Sequence, residues 1–316
     1  MPDGVVGRLF TEKVAMRVAM IGYGAVGSVH ASQLAAERGV NLVTVFGPKR
    51  EKASAFASAH RIKHVSETLE EAISHADAAI VCSPSYLHYR QALECLQLGV
   101  HTLVEMPPCE TVEQAEALGE LAQDRGVRLE CAHTSRYLAP YARITAGIRT
   151  SELGPIQEIN YVRHHRLRDR SWTDDAMLHH AAHPIDLLLD WFEDLTPRGC
   201  VALPQVFNAQ TVSMLCKLSN GAPATISITY ASRLPHVRML IVGDQHTVET
   251  DGFSYIRSDL KHLEFNDAEQ LTYERAIHDQ DIAFLSACGG KRAGIDWKET
   301  LKLMRIINCF QRLGNQ

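Results

Sequence analysis

Nothing in this 316-residue chain approaches the roughly 18 consecutive apolar residues that a membrane-spanning helix requires. Cationic excess is missing too. Lys and Arg number 32 against 37 Asp and Glu, a net charge of −5, which argues against nucleic acid or an anionic membrane as a general partner. The opening Met1-Pro-Asp-Gly has no basic stretch followed by an apolar one, so no secretory signal is expected and the cytoplasm is the expected compartment. Eight cysteines stand at 82, 95, 109, 131, 200, 216, 288 and 309, but no pair has CxxC spacing. Several lie in apolar strand-like runs such as Ile80-Val-Cys82. They read as reduced packing residues, with a catalytic role for Cys109 as the alternative. Internal repeats and low-complexity tracts are absent as well. What remains is an ordinary soluble composition, 46% hydrophobic and long enough for two packed domains.

The most informative feature present is Gly22-Tyr23-Gly24-Ala25-Val26-Gly27, directly after the apolar run Arg17–Ile21 and before a helix-like stretch. Between a strand and a helix, the first glycine permits a tight turn. The second lets the backbone approach a pyrophosphate, and the third lets helix and strand pack closely. Free N–H groups at the helix start then face the phosphates. An NAD-specific site usually places a carboxylate at the end of the second strand, about 20 residues on, for the ribose 2′-OH. Here that strand, Asn41–Phe46, runs into Gly47-Pro48-Lys49-Arg50 with no acid. Lys49 and Arg50 could instead pair with a 2′-phosphate, so NADP is preferred over NAD, the alternative being a solvated basic helix start.

Residues 17–132 alternate short β-rich runs with helical stretches, the pattern of a doubly wound parallel α/β sheet. Ligands in such sheets sit at the carboxyl ends of strands, here Gly22–Gly27, Ser83–His88, Glu105–Pro108 and His133–Arg136. Beyond about residue 155, Ile156–His165, Thr211–Leu218, Ala224–Ala231, His236–Val242, His246–Thr250 and Tyr255–Phe265 read as strands of a mostly antiparallel sheet. Ser219-Asn220-Gly221 is a hairpin signal. Asp175–Trp191 and Trp297–Leu313 read as helices, making this part α+β. The expected division is an extension over 1–15, a dinucleotide domain over 16–135 and a substrate and dimerisation domain over 136–316.

Cys82-Ser-Pro-Ser-Tyr-Leu-His88, Val104-Glu-Met-Pro107 and Ala182-His-Pro-Ile-Asp186, with the glycine turn, resemble in order the motifs of the glucose–fructose oxidoreductase and inositol dehydrogenase family (Gfo/Idh/MocA). The resemblance spans about residues 17–313. It implies an N-terminal Rossmann domain, a C-terminal open sheet often used for dimerisation, and NAD(P)-dependent chemistry at a carbinol or carbonyl carbon. It also implies that Ser83, Pro84, His88, Glu105 and Met106 join Gly22–Gly27, Lys49 and Arg50 in holding the cofactor. One departure matters. The family's Glu-Lys-Pro is Glu105-Met106-Pro107 here, and methionine cannot move the proton that the lysine moves.

A replacement base is expected on Leu178-His-His-Ala-Ala-His183-Pro-Ile-Asp186. His179, His183 and Asp186, four and three apart on a helix, share a face. Histidine titrates near neutrality, so His183 or His179 is the expected base, with Asp186 or a backbone group orienting the ring. A rival reading makes His179 and His183 metal ligands joined by His133, His164 or His165; the expectation here is that no metal is bound. Arg163, Arg166, Arg168 and Arg170 precede this helix, and with Arg136 they are candidates for binding substrate carboxylates. The run Arg170-Ser-Trp172-Thr173-Asp followed by His-His-Ala-Ala-His more narrowly resembles a family member of aromatic-acid catabolism that oxidises the cyclic hemiacetal of a carboxylated semialdehyde. That resemblance places His133, Trp172 and Thr173 at the substrate. A sugar or cyclitol dehydrogenase and a non-catalytic dinucleotide-binding protein are the alternatives.

Overall fold

The computed structural model describes residues 15–166, 174–291 and 294–315, arranged as two compact units. The first comprises residues up to 132 together with 277–298, and the second 133–276 together with 299–316. The first unit is built around β1 (Met16–Ile21), whose alternate side chains enter two different cores. Val18 and Met20 pack with Ala31, Leu34, Phe284 and Leu285, whereas Ala19 and Ile21 pack with Ala79, Ala92 and Leu96. All of these are fully buried, which is why the strand is apolar at every position from 18 to 21.

From β1 the chain continues through α1 (Ala25–Leu34), β2 (Val40–Phe46), α2 (Arg50–Ala59), β3 (His64–Ser66), α3 (Leu69–Ser74) and β4 (Ala78–Val81). It then forms α4 (His88–Gln97), β5 (His101–Val104), α5 (Val112–Arg125) and β6 (Leu129–Cys131). The six strands are parallel in the order β3-β2-β1-β4-β5-β6. Strand order reverses between β1 and β4, and that switch point is where such sheets bind ligands. Thr111 caps α5, its hydroxyl accepting from Gln114 N at 3.2 Å. The sequence reading passed over β3 and α3. Their signal was Thr68-x-x-Glu71: Thr68 Oγ1 accepts from Glu71 N at 3.1 Å, and Glu71 Oε2 accepts from Glu67 N at 2.7 Å.

The second unit contains α6 (Ala139–Arg149), β7 (Ile156–Arg166), α7 (Ala182–Phe192), β8 (Leu195–Leu203), β9 (Thr211–Leu218), β10 (Pro223–Thr229) and β11 (Ala231–Gly243). It continues with β12 (Thr247–Thr250), β13 (Tyr255–Ser258) and β14 (Phe265–Asn266). Two helices follow, α8 (Glu269–Cys288) and α9 (Trp297–Gly314). The eight strands order as β14-β13-β12-β11-β7-β10-β9-β8, antiparallel except for β7 with β10. In β9 every second residue (Val212, Met214, Cys216, Leu218) is buried and the others face outward, so one face is covered and the other open. The expected Asn220-Gly221 hairpin joins β9 to β10, with Gly221 at φ +95°.

Three expectations differ from this architecture. The run 255–265 is two short strands around a turn at Lys261–Leu263. The helix over 175–191 begins as a π-helical turn, Ala176–Ala181, before α7. Residues 277–298 lie with the first unit, although 136–316 was expected to be one domain, because the apolar Phe284 and Leu285 of α8 fill the first unit's core.

Candidate functional site

In the first unit the Gly22–Gly27 turn is shaped by what each glycine faces. Gly22 sits at φ +120°, and a Cβ there would lie 2.7 Å from the Cys82 carbonyl and from Ser83 N. The turn and the end of β4 therefore cross at backbone contact, which only glycine allows. A Cβ on Gly27 would meet Cys82 Sγ at 2.9 Å, so the third glycine seats α1 on the sheet. Gly24 is the opposite case, with nothing within 4 Å of a Cβ position. It is the N-cap of α1, it makes no side-chain capping bond, and no acid stands in the first turn. An open, uncapped helix start beside a crowded turn fits a dinucleotide pyrophosphate.

The neighbouring turns are fixed to one another. His88, buried, has Nδ1 2.8 Å from the Pro107 carbonyl oxygen and Nε2 2.7 Å from that of Ser83. It was expected to touch cofactor; both of its nitrogens instead tie the β4 turn to the β5 turn. Ser83 Oγ donates to Gln91 Oε1 at 2.5 Å. Met106, at the position of the expected lysine, is 4% exposed. Tyr23 lies against Gly47, and its hydroxyl accepts from Lys49 N at 3.0 Å, bracing the turn after β2. Arg50 is directed to Glu67, and both side chains of that pair are mostly exposed. An exposed pair of this kind is worth at most about 1 kcal/mol, so Arg50 is easily redirected. Cys109 is buried, and burial pushes its thiol up to about 12, which removes it as a nucleophile.

In the second unit Asp175 starts the histidine segment. Its Oδ1 accepts from Met177 N at 2.8 Å and Leu178 N at 2.9 Å, and its Oδ2 accepts from Ala209 N at 2.9 Å. The π-helical turn shifts the histidines out of simple helical register, and such turns often occur at functional sites. His180 Nδ1 lies 2.5 Å from the Tyr230 hydroxyl, and the His165 ring is edge-on to His180 at 4.9 Å. His179 is part-exposed, with Nδ1 3.7 Å from Asp174 Oδ1. His183 Nδ1 is buried and without a hydrogen-bond partner among the described residues. Burial, then the charge of Arg163 and that of His179, push His183 down to about 3, with Asp186 pulling weakly the other way. The same causes, burial first and Arg163 second, hold His180 well below the ordinary imidazole range. The sequence placed these groups near neutrality. Their surroundings keep both rings neutral.

Arg163 explains much of this. Alternation along β7 puts Tyr161, Arg163 and His165 on one face, with Arg163 beside Tyr161. Among the described residues no carboxylate ion-pairs with it. Arg166 falls on the opposite face and is exposed, so Arg163 and Arg166 do not form one patch. Arg168, Arg170, Trp172 and Thr173 lie outside the described residues.

Asp186 is corrected by the structure. It does not orient His183 through a hydrogen bond. Arg136 donates to both its oxygens, at 2.6 and 3.0 Å, and His133 Nδ1 lies 2.8 Å from Oδ1. Although desolvation opposes it, His133 and then Arg136 hold this carboxyl far below the usual carboxylate range. Arg136 also meets Asp190 at 3.5 Å, and Glu299. Its donors are committed to the protein, so it is not available to a substrate. His133 is fully buried between Asp186 and Thr300 Oγ1 at 2.9 Å, and it too is internal scaffolding. Among the described residues no three metal-ligating side chains converge. Sequence reasoning missed Tyr230, His30 and Asp281, and gave no role to His180 within its histidine run. The contacts of His180 with Tyr230 and of His30 with Asp281 and Glu105 span 50 or more residues, so no local pattern showed them.

A six-stranded parallel sheet with this glycine turn defines a dinucleotide-binding Rossmann domain, and the model for the oxidoreductase family with an NAD-binding Rossmann fold (Gfo/Idh/MocA) matches residues 16–133. The chain belongs to that family. It is 31% identical over 228 residues to 4-carboxy-2-hydroxymuconate-6-semialdehyde dehydrogenase of a Sphingobium species, covering 68% of this chain and 72% of that protein. It is 27% identical over 240 residues to UDP-N-acetylglucosamine 3-dehydrogenase of Acidithiobacillus ferrooxidans, covering 75% and 74%. Among solved structures, GenD2 from gentamicin A biosynthesis, in complex with NAD, shares the fold with a TM-score of 0.84 at 18% identity, over 99% of this chain and 98% of that one. The WlbA dehydrogenase of Bordetella pertussis, in complex with NADH and UDP-GlcNAcA, does so at 0.83 and 18%, over 97% of each.

Proposed function

We propose that this NAD(P)-dependent oxidoreductase oxidises the ring carbinol of an acidic lactol, as in the conversion of 4-carboxy-2-hydroxymuconate-6-semialdehyde to 2-pyrone-4,6-dicarboxylate, with NADP preferred. One observation carries this reading. Arg163 is a part-buried cation without a carboxylate partner among the described residues, set among neutral imidazoles. An unpaired buried charge is unfavourable until an anion joins it, and the guanidinium fork suits a carboxylate. The relative active on the muconate semialdehyde supports the same substrate class.

The bound nicotinamide supplies the hydride acceptor. The chain's own residues handle charge and the proton. Arg163 binds the substrate carboxylate, and that anion offsets the second cause, after burial, of the low His183 pKa. His183 then gains basicity only when the correct substrate is present, and takes the lactol hydroxyl proton as the C–H electron pair leaves. His179, beside Asp174, is the second candidate for that step. At the end of β2 the missing acid leaves a 2′-phosphate unopposed, and Lys49 with a redirected Arg50 would pair with it. A homodimer through the open face of the eight-stranded sheet is part of the proposal, because exposed Val201, Leu203 and Leu215 share that face.

Absorbance at 340 nm with the semialdehyde, neutral sugars and inositols, each with NADP and NAD, tests this. Turnover of the semialdehyde and a preference for NADP that falls in Lys49→Ala/Arg50→Ala are expected. Turnover of neutral sugars alone would discard the acidic substrate and favour the sugar dehydrogenase reading. No turnover with NADP still bound would favour a non-catalytic protein.

A further inference from the structure

The first unit buries a charged trio that the reaction above does not use. His30, on α1 three residues beyond the glycine turn, is fully buried. Its Nδ1 lies 2.7 Å from Asp281 Oδ2 and its Nε2 lies 3.0 Å from Glu105 Oε1. Asp281 is also fully buried, whereas the Glu105 side chain is 17% exposed. Burial alone would strip His30 of its proton, but Asp281 and then Glu105 outweigh it and push its pKa up to about 10. Burial pushes the Asp281 carboxyl up and His30 opposes it, and with both acids ionised the two carboxylates on one imidazolium carry a net negative charge. Among the described residues no other cation ion-pairs with Glu105, and the residue after it is Met106.

The location gives that charge a use. The glycine turn follows β1, and the candidate 2′-phosphate groups Lys49 and Arg50 follow β2. In a sheet of this order the dinucleotide lies across the switch point, so its nicotinamide half falls to the β4 and β5 side. Glu105 directly follows β5 and is the member of the trio that reaches the surface.

We propose that Glu105, oriented by His30, which Asp281 holds in turn, discriminates between the redox states of the dinucleotide, favouring the oxidised form with its cationic nicotinamide ring over the neutral reduced form. This rests on the dinucleotide reading of the first unit and is independent of the substrate. A fixed carboxylate in a partly desolvated site attracts the cationic ring and gains nothing from the neutral one. The consequence is loading with the oxidant from a mixed pool, the state from which oxidation of a carbinol starts.

The test is equilibrium binding of NADP+ and of NADPH, by calorimetry, to the full chain and to Glu105→Gln. Glutamine keeps the shape and can still accept from His30. The expected result is that NADP+ weakens by about tenfold while NADPH changes less than about twofold, since a nearby charge is worth on the order of one pK unit or more. Asp281→Asn should also weaken NADP+ relative to NADPH, by a smaller factor, because Glu105 then shares His30 with no second carboxylate. Equal weakening of both forms would mean that Glu105 merely supports the turn and would overturn the proposal. An unchanged ratio in both variants would do the same. Failure of the unaltered chain to bind either form would refute the dinucleotide reading itself.

Discussion

Replacing Arg163 by Gln separates recognition from the proton step, because the same guanidinium is argued to serve both. Glutamine retains a polar group for Tyr161, whose hydroxyl would otherwise lose its neighbour in a buried site. A charge-assisted hydrogen bond to a carboxylate contributes about 1.5–3 kcal/mol, so KM for the semialdehyde should rise between roughly tenfold and a hundredfold. KM for a neutral sugar or inositol, if any is turned over, should change less than about twofold. The pH profile supplies a second readout. In the free protein burial and Arg163 hold His183 down to about 3, so the acid limb of kcat/KM for this base lies below the neutral range. After burial, the Arg163 charge is the largest cause of that depression. Removing it raises the His183 pKa, and the acid limb in Arg163→Gln moves up in pH. Steady-state rates at 340 nm between pH 4 and 9 would show both effects. An unchanged KM for the acidic substrate, with a limb that stays in place, would refute the assignment of Arg163 to either role.

Four further outcomes follow from the geometry. Gly22→Ala places a Cβ 2.7 Å from backbone atoms of Cys82 and Ser83 at φ +120°, and should cost about 3 kcal/mol or more in urea unfolding. Gly24→Ala meets nothing within 4 Å, so it should leave stability unchanged and weaken dinucleotide binding; an unaltered affinity would contradict the pyrophosphate assignment. The folded pKa of His30 is raised above its unfolded value, so its contribution to stability is complete below about pH 6.5 and is lost as pH rises toward about 10. Melting temperatures across that window should fall, and fall less in a His30→Gln/Asp281→Asn double variant; parallel curves would remove the ion trio as the cause. Asp186→Asn leaves Arg136 and His133 without their shared carboxylate. It should cost about 3–5 kcal/mol, read as a lowered melting temperature, and a loss of activity at unchanged stability would instead place Asp186 in the chemistry.

Local pattern in the chain was enough for the nucleotide fold, because its signals are short-range. The glycine turn between strand and helix, the βα alternation of residues 17–132 and the Asn220-Gly221 hairpin depend on residues adjacent in sequence, and each appears in the structure where the pattern put it. The histidine-bearing segment and Arg163 were legible as candidates for the same reason. Their properties were not. Histidine and arginine have ordinary pKa values as residue types, but burial and neighbours decide what a given copy does. Only the folded second unit pushes His183 down to about 3, gives Asp186 to Arg136 and His133, and sets Arg163 and Arg166 on opposite faces of β7.

Long-range placement was equally invisible. Asp281 is 251 residues from His30, and a polar stretch of α8 gave no periodic sign that half of it returns to the first unit. The sequence by itself determined which backbone conformations and which chemical groups this protein has, since those follow from neighbouring residues. The tertiary structure alone decided which groups are paired, neutral or left with charge to spare, since desolvation and Coulomb energy depend on distances that no local pattern encodes.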